Sequence, residues 1–155
     1  MLNQSAEYAL KVVALIASRP GDVPSRAAEL AAALELPANY LSKILHQLAS
    51  AGVLISRKGR GGGFLLTRGA AQLTLAAVVT PFEELGRYRS CFLGNAICSD
   101  RRACVAHDRW KPIARAVLGF LQETTIDSIA TSAARPEPPS TSGAKRPRAR
   151  SRRPT

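Results

Sequence analysis

The sequence is poor in aromatic residues, in cysteine and in acidic residues, and each shortage narrows the possible classes of protein. Aromatic residues are 5% of 155, while Ala and Leu are abundant, a composition that favours helices over sheets. The three cysteines are an odd number in one short window, which argues against a disulfide framework and favours a reduced, cytoplasmic setting. The apolar run 9–17 follows Glu7 and contains Lys11, so it predicts a helix and not an export signal. No run is long enough to span a membrane, and we expect no membrane partner.

Acidic residues number 11 against 22 Lys and Arg, which gives a net charge of +11. Residues 133–155 hold seven Lys or Arg and one Glu, a net charge of +6 that leaves +5 for residues 1–132. So basic a chain attracts polyanions, and nucleic acid is the first candidate. Because Pro, Ser, Thr and Arg dominate the end of the chain, we predict a disordered basic tail at 132–155.

Apolar residues recur at helical spacing in three segments of the N-terminal half. Residues 5–18 predict a first helix, Pro24 and Ser25 predict the N-cap region of a second, and a third helix follows Leu36 and Pro37. The third helix has the apolar stripe Leu41, Ile44, Leu45 and Leu48. Its other face carries Asn39, Ser42, Lys43, His46 and Gln47. Two helices joined by a short turn, the second with polar and basic side chains outward, predict a helix-turn-helix.

A β-hairpin is predicted directly after the third helix. Residues 53–57 and 63–67 favour strands, and the glycine-rich residues 58–62 favour a turn between them. Positive charge comes from Arg57, Lys58, Arg60 and Arg68. Thr74 is the predicted cap of a fourth helix that Pro81 ends or kinks. The expected fold is mainly α with a small β-hairpin, a winged helix-turn-helix head at 1–85 followed by a long C-terminal helix.

The cysteines lie in a predicted sensor loop at residues 86–106, here called the cysteine segment, with the spacing Cys91-x6-Cys98-x5-Cys104-x2-His107. Thiolates are soft ligands that suit iron–sulfur clusters and zinc, and a fourth ligand would complete a tetrahedral site. Zinc fits less well because the gaps exceed the usual C-x2–4-C spacing. The thiols could instead respond to oxidation without metal, or simply be buried. No C-x-x-C motif is present, and we expect no enzyme.

The last predicted helix runs from about His107 to Thr124, within a dimerisation helix segment at 107–131, and has an apolar stripe too wide for a small head to cover. The stripe comprises Trp110, Ile113, Val117, Phe120 and Leu121. Such a face usually packs against a second copy, so we assign dimerisation to this segment.

Three segments, residues 7–10, 38–45 and 58–64, carry a resemblance to a known family. Together with the downstream cysteines they resemble the Rrf-type family of bacterial winged helix-turn-helix transcriptional regulators, with its IscR-like and NsrR-like members. The resemblance covers about residues 1–130 and leaves out the tail. It implies a homodimer that binds palindromic operator DNA and changes affinity when an iron–sulfur cluster is lost, modified or oxidised.

The resemblance also implies a DNA-binding site. The third helix would present Asn39, Tyr40, Ser42 and Lys43 to the major groove. The wing would place Lys58 and Arg60 in the minor groove, with Arg57, Gly61 and Gly62 completing the site.

By the same resemblance, Cys91, Cys98 and Cys104 would hold a [2Fe-2S] or [4Fe-4S] cluster, despite one extra residue between the first two. Two fourth ligands stay open. His107 stands where IscR-like members have a histidine, and Glu7 stands where NsrR-like members have a carboxylate from the partner subunit. We expect a transcriptional regulator, a repressor, that senses cluster status, nitric oxide or redox state. The alternative is a metal-free regulator that responds to a metabolite or to thiol oxidation.

Overall fold

The computed structural model describes residues 2–19, 23–93 and 100–133, so Cys98 and the predicted basic tail beyond 133 lie outside the described residues. The elements run in the order α1 (Gln4–Ala17), α2 (Ala27–Ala33), α3 (Ala38–Ser50), β1 (Leu54–Arg57), β2 (Gly63–Leu66), α4 (Leu75–Val79), α5 (His107–Glu123) and α6 (Ile126–Ala133). The strands form one antiparallel hairpin. The predicted class, mainly α with a small hairpin, is confirmed.

The core of the head lies where α1 meets α3 and α4. Val12 and Val13 of α1 pack with Leu41, Leu45 and Leu48 of α3, and all five side chains are fully buried. Burial of one such side chain stabilises the fold by roughly 1.5–3 kcal/mol. The apolar stripe of α3 therefore fixes which face of this helix points outward.

The starts of the first two helices differ from the sequence-based expectation. Asn3 caps α1, since its side-chain oxygen accepts a hydrogen bond from the Ala6 amide at 2.9 Å. The N-cap predicted at Ser25 is wrong, because Arg26 is the N-cap of α2 and makes no side-chain cap bond. Ser25 is instead fully buried and pairs with Phe64 through two backbone hydrogen bonds of 3.0 and 2.9 Å. The chain before α2 is thereby fastened to the hairpin.

The long helix predicted from about His107 to Thr124 is observed as α5, but the dimerisation segment 107–131, expected as one helix, also contains the start of α6. Thr74 caps α4 as predicted. Helix α5 ends at Glu123, and residues 124–126 then pair with residues 73–75 at the start of α4. The Leu75 amide donates to the Thr124 carbonyl at 2.9 Å, and the Ile126 amide donates to the Leu73 carbonyl at 2.8 Å. These bonds turn α6 back against α1, where Ile126 is fully buried.

The cysteine segment was predicted as a loop, and its described residues contain two short 3-10 helices, Leu85–Arg89 and Asp100–Arg102. The first packs on α5. Within the described ranges of the chain, no helix is both long and apolar enough to cross a membrane.

Candidate nucleic-acid interface and cysteine site

The outer face of α3 is the first part of the candidate site. The side chains of Asn39, Ser42 and Lys43 are all exposed, because the buried leucines hold the opposite face of the helix in the core. Three of the four predicted base-reading residues therefore share one accessible helical face. A helix that presents short polar and basic side chains in this way can enter the major groove.

Tyr40, the fourth predicted base-reading residue, has a different environment. It is half-buried, its hydroxyl lies 3.0 Å from the Ser5 hydroxyl, and its ring meets the Tyr8 ring edge-on with centroids 5.8 Å apart. Both contacts are with α1. These contacts hold the N-terminal half of α3 against α1, and the base contact of Tyr40 stays a prediction.

The wing is the second part of the candidate site. The register pairs Leu54 with Leu66 and Arg57 with Gly63, so residues 58–62 form the tip. Arg57, Lys58 and Arg60 are all exposed there. The structure thus gathers Arg57, Lys58 and Arg60 at one exposed turn, which suits contact with phosphates or a narrow minor groove, whereas Arg68 follows β2 at the opposite end of the hairpin.

Two glycines make this tip possible. Gly61 has a φ of 86°, in the left-handed region that glycine adopts readily. At Gly62 a Cβ atom would lie 2.2 Å from the Arg57 carbonyl oxygen, which is less than a van der Waals contact. Gly61 and Gly62 therefore shape the turn that carries the cations.

Two of the three cysteines meet in the cysteine segment. Cys91 is buried and Cys104 is half-buried, and their Sγ atoms lie 3.6 Å apart. That separation is well beyond the S–S bond length of about 2.05 Å. Two thiolates bound at about 2.3 Å to one tetrahedral metal ion lie about 3.8 Å apart. The thiol pair thus fits a shared metal centre in both donor chemistry and spacing.

His107, one predicted fourth ligand, is buried at the first position of α5. Its Nε2 lies 2.8 Å from Asp100 Oδ1, and the same carboxylate contacts Lys111. Lys111 first, and His107 after it, hold the pKa of the Asp100 carboxyl below its ordinary value. A carboxylate fixes the orientation of the imidazole ring, but ligation through Nε2 would require this hydrogen bond to break.

Glu7, the other predicted fourth ligand, is exposed on the first turn of α1. In the parts of the chain that the structure describes, no three His, Cys, Asp or Glu side chains converge as a metal site. Cys98 lies outside those residues, so the predicted set of ligands is brought together only at Cys91 and Cys104. Nothing in the described residues supports zinc as the bound metal.

Contacts that the sequence did not predict connect the cysteine segment with the rest of the molecule. The Trp110 indole donates to the Ser90 carbonyl at 3.0 Å, directly before Cys91. The Glu83 carboxylate is buried, contacts Arg87 and accepts a hydrogen bond from the Asn3 amide at 2.7 Å. The only hint of the Glu83 contacts in the sequence was the position of this acidic residue beside the apolar stretch of α4.

Comparison with known proteins agrees with this geometry. The family model Rrf2, described as an iron-dependent transcriptional regulator, matches residues 2–132. An HTH-type transcriptional regulator of Aquifex aeolicus is 28% identical over 131 residues, which cover 83% of this chain and 90% of the relative. The HTH-type transcriptional regulator IscR of Serratia proteamaculans is 25% identical over 128 residues, with 83% and 77% covered.

Solved structures share the fold. CymR, the global cysteine regulator of B. subtilis, aligns with a TM-score of 0.73 at 21% identity, over 85% of this chain and 97% of that chain. IscR of T. potens aligns with a TM-score of 0.68 at 18% identity, over 86% and 88%. The resemblance seen in the sequence is confirmed. The chain belongs to the Rrf2 family, and it is a winged-helix transcriptional regulator and not an enzyme.

Proposed function

We propose that this regulator binds operator DNA as a homodimer and changes its affinity with the state of an iron–sulfur cluster held by the cysteine segment. The observation that carries the sensing part is the pair of thiols at Cys91 and Cys104, 3.6 Å apart between the DNA-reading head and α5. As a regulator of bacterial genes, it would act in the cytoplasm, as a repressor.

DNA recognition would use the two exposed surfaces of the head. Asn39, Ser42 and Lys43 would face base edges in the major groove, while Lys58 and Arg60 would approach the adjacent minor groove. This assignment is supported by the exposure of all five side chains on α3 and the wing. Arg57 lies at the end of β1, next to the tip of the wing, where it can contact a phosphate.

Homodimerisation is supported by the outer face of α5. Ile113 and Phe120 are 54% and 58% exposed, whereas Leu121 is buried in the core of the head. The exposed side chains border an apolar hollow of about 410 Å³. It is lined by Leu2, Tyr88, Ile113, Ala116, Val117, Phe120 and Leu121. A symmetric copy of the same face is the simplest partner, and two copies of α3 would then meet a palindromic operator.

The cluster would be held by Cys91, Cys98 and Cys104, with His107 or the partner subunit's Glu7 as the fourth ligand. A bound cluster would supply a group that reacts with oxidants and nitric oxide. The protein's own contribution is to exclude water from the Cys91 thiol by burial and to orient His107 through Asp100. Because α5 begins at His107, ordering of the cysteine segment would reposition α5 and change the spacing of the recognition helices.

A second candidate is a metal-free thiol switch, favoured by the same thiol pair. Oxidation by a peroxide would join Cys91 and Cys104 in a disulfide, releasing two protons and two electrons that reduce the peroxide to water. This needs the sulfurs to approach from 3.6 Å to about 2.05 Å. Both candidates place the signal at the same segment.

The deciding experiment is anaerobic purification followed by ultraviolet–visible spectroscopy with iron and sulfide analysis. The cluster proposal predicts a coloured protein with bound iron and sulfide, and the colour should disappear in Cys91→Ser and Cys104→Ser. Glu7→Gln and His107→Ala should then differ, with the spectrum altered in the variant that lacks the fourth ligand. A colourless protein after reconstitution would reject the cluster, and peroxide-dependent loss of two thiols would identify the metal-free switch.

A further inference from the structure

A buried acidic residue lies between the head and the cysteine segment. The Glu83 side chain is 1% exposed. One carboxylate oxygen contacts the Arg87 guanidinium, and the other accepts the Asn3 amide at 2.7 Å. Removing a carboxylate from water is costly unless charged and hydrogen-bonding partners compensate. The stability of the buried Glu83 carboxylate therefore depends on both partners, and movement of either partner changes the contacts of this carboxylate.

The residues around Glu83 are bound to α1 and α3. The Asn3 side-chain amide donates to the Phe82 carbonyl at 2.6 Å. The Gln47 side-chain amide, from the recognition helix, donates to the Pro81 carbonyl. Residues 81–83 thus receive hydrogen bonds from the cap of α1 and from the C-terminal half of α3. We call residues 81–83 with Asn3, Gln47 and Arg87 the Glu83 junction.

The other side of the Glu83 junction leads to the thiols. Arg87 belongs to the 3-10 helix Leu85–Arg89, which packs on α5, and Cys91 follows two residues after its end. Between them, the Ser90 carbonyl accepts the Trp110 indole N–H at 3.0 Å. A displacement of the Cys91 backbone is therefore passed to this short helix and to the guanidinium that pairs with Glu83.

We propose that Glu83 is a positioning residue that couples the segment around Cys91 to the recognition helix α3. This inference rests on the proposed sensing role of the cysteine segment, and it assigns the route inside one subunit. The first branch runs from Glu83 along residues 81–83 to Gln47 on α3. The second runs through Asn3 to α1, whose Ser5 hydroxyl meets the Tyr40 hydroxyl on α3. Because both branches end on α3, strain near Cys91 biases the helix that reads DNA.

The test uses the folded, metal-free, reduced full chain and perturbs the thiols chemically. Iodoacetamide alkylates cysteine, and all three cysteines of the chain lie between positions 91 and 104. Hydrogen exchange, read by mass spectrometry, then reports the amides of α3. In the wild type, alkylation should speed exchange in α3 on the order of tenfold, as expected when a charge-assisted bond is lost. In Glu83→Gln, exchange in α3 should already be fast, and alkylation should add less than about twofold.

Glu84→Gln is the matched control, because Glu84 is exposed and adjacent in sequence; it should respond as the wild type does. If Glu83→Gln does not fold, Gln47→Ala is measured in its place. Gln47 is exposed, so this substitution removes only the hydrogen bond from α3 to the Pro81 carbonyl. Gln47→Ala should reduce the response of α3 but keep that of residues 85–93.

Two results would overturn the coupling role. One is an unchanged rate of hydrogen exchange in α3 after alkylation of the wild type. The other is an equal response to alkylation in wild type and Glu83→Gln, which would mean that Glu83 has only a structural role. Neither depends on a bound cluster. A colourless protein would thus reject the cluster proposal while the exchange data still decide on the Glu83 junction.

Discussion

Apolar side chains are buried in helix α3 of the head, whereas several apolar side chains of the cysteine segment are exposed to solvent. In α3, the stripe of Leu41, Ile44, Leu45 and Leu48 is at most 2% exposed. In the cysteine segment, Phe92 is 64% exposed, Leu93 is 56% exposed and Val105 is 99% exposed. The geometry of the head is therefore set by its own core, whereas these three residues of the cysteine segment are largely exposed, and in its described part only Tyr88 and Cys91 are buried.

The described part of the cysteine segment is held by the packing of its first 3-10 helix on α5 and by a few further contacts. Among these are the Trp110–Ser90 hydrogen bond, the His107–Asp100 pair and the Cys91–Cys104 approach. A segment held at few points changes conformation more easily than a packed helix, and whatever binds to it stabilises one conformation by mass action. The contrast supports a division into a fixed reading head and a responsive sensor.

The largest expected effect tests this contrast through folding stability. Leu45→Ala should lower the free energy of unfolding by about 3–4 kcal/mol, because it removes a fully buried side chain and leaves a cavity. Leu93→Ala, in the cysteine segment, should change it by less than about 0.5 kcal/mol. Urea denaturation followed by circular dichroism measures both. Similar losses for the two variants would mean that the segment has a core of its own.

The next effect concerns the outer face of α5. Phe120→Ala should weaken the dimer by about 3 kcal/mol, roughly a hundredfold in its dissociation constant, because each symmetric interface loses two buried rings. Arg115→Ala, on the same helix and also exposed, is the control. Sedimentation equilibrium gives both constants. A Phe120→Ala protein that dimerises like the wild type would place the interface elsewhere.

A smaller effect is expected at the wing turn. Gly62→Ala brings a Cβ against the Arg57 carbonyl, and the strain of about 1–3 kcal/mol should distort the tip that holds the cations. Affinity for a duplex selected by the protein from a random library should fall about tenfold by fluorescence anisotropy. Gly69→Ala, where no atom lies within 4 Å of the added Cβ, should bind normally. Equal binding by both variants would show that the tip does not touch DNA.

Local patterns in the sequence were sufficient for the head. The spacing of four apolar residues predicts α3 because a helix repeats every 3.6 residues, and the glycines at 61 and 62 predict a turn because few other residues fit there. The same patterns place Asn39, Ser42 and Lys43 outward. Periodicity and turn chemistry act within about ten residues, so these features are readable without a structure.

Contacts between distant segments were not predictable in this way. Ser25 was read as a cap, yet it pairs with Phe64, 39 positions away. Asn3 and Glu83 are 80 positions apart, and Tyr40 faces Ser5 although its helical position allowed an outward direction. The break between α5 and α6 arises from pairing of residues 124–126 with the start of α4. Each of these contacts depends on which elements become neighbours in the fold. The cysteine segment contributes little to the core and therefore has the weakest local pattern.

The smallest expected effect separates positioning on the DNA backbone from reading of bases. Lys58→Ala and Arg60→Ala should each reduce the slope of log affinity against log salt by about 0.9, the value for one phosphate contact and its released counterions. Both should weaken binding to all duplexes alike, since phosphates carry no sequence information. Lys43→Ala on α3 should instead weaken the selected duplex more than a scrambled one, because its position on the exposed helical face allows a base contact. An unchanged slope in the wing variants, with lost preference for the selected duplex, would reverse these roles and make the wing the reader of sequence.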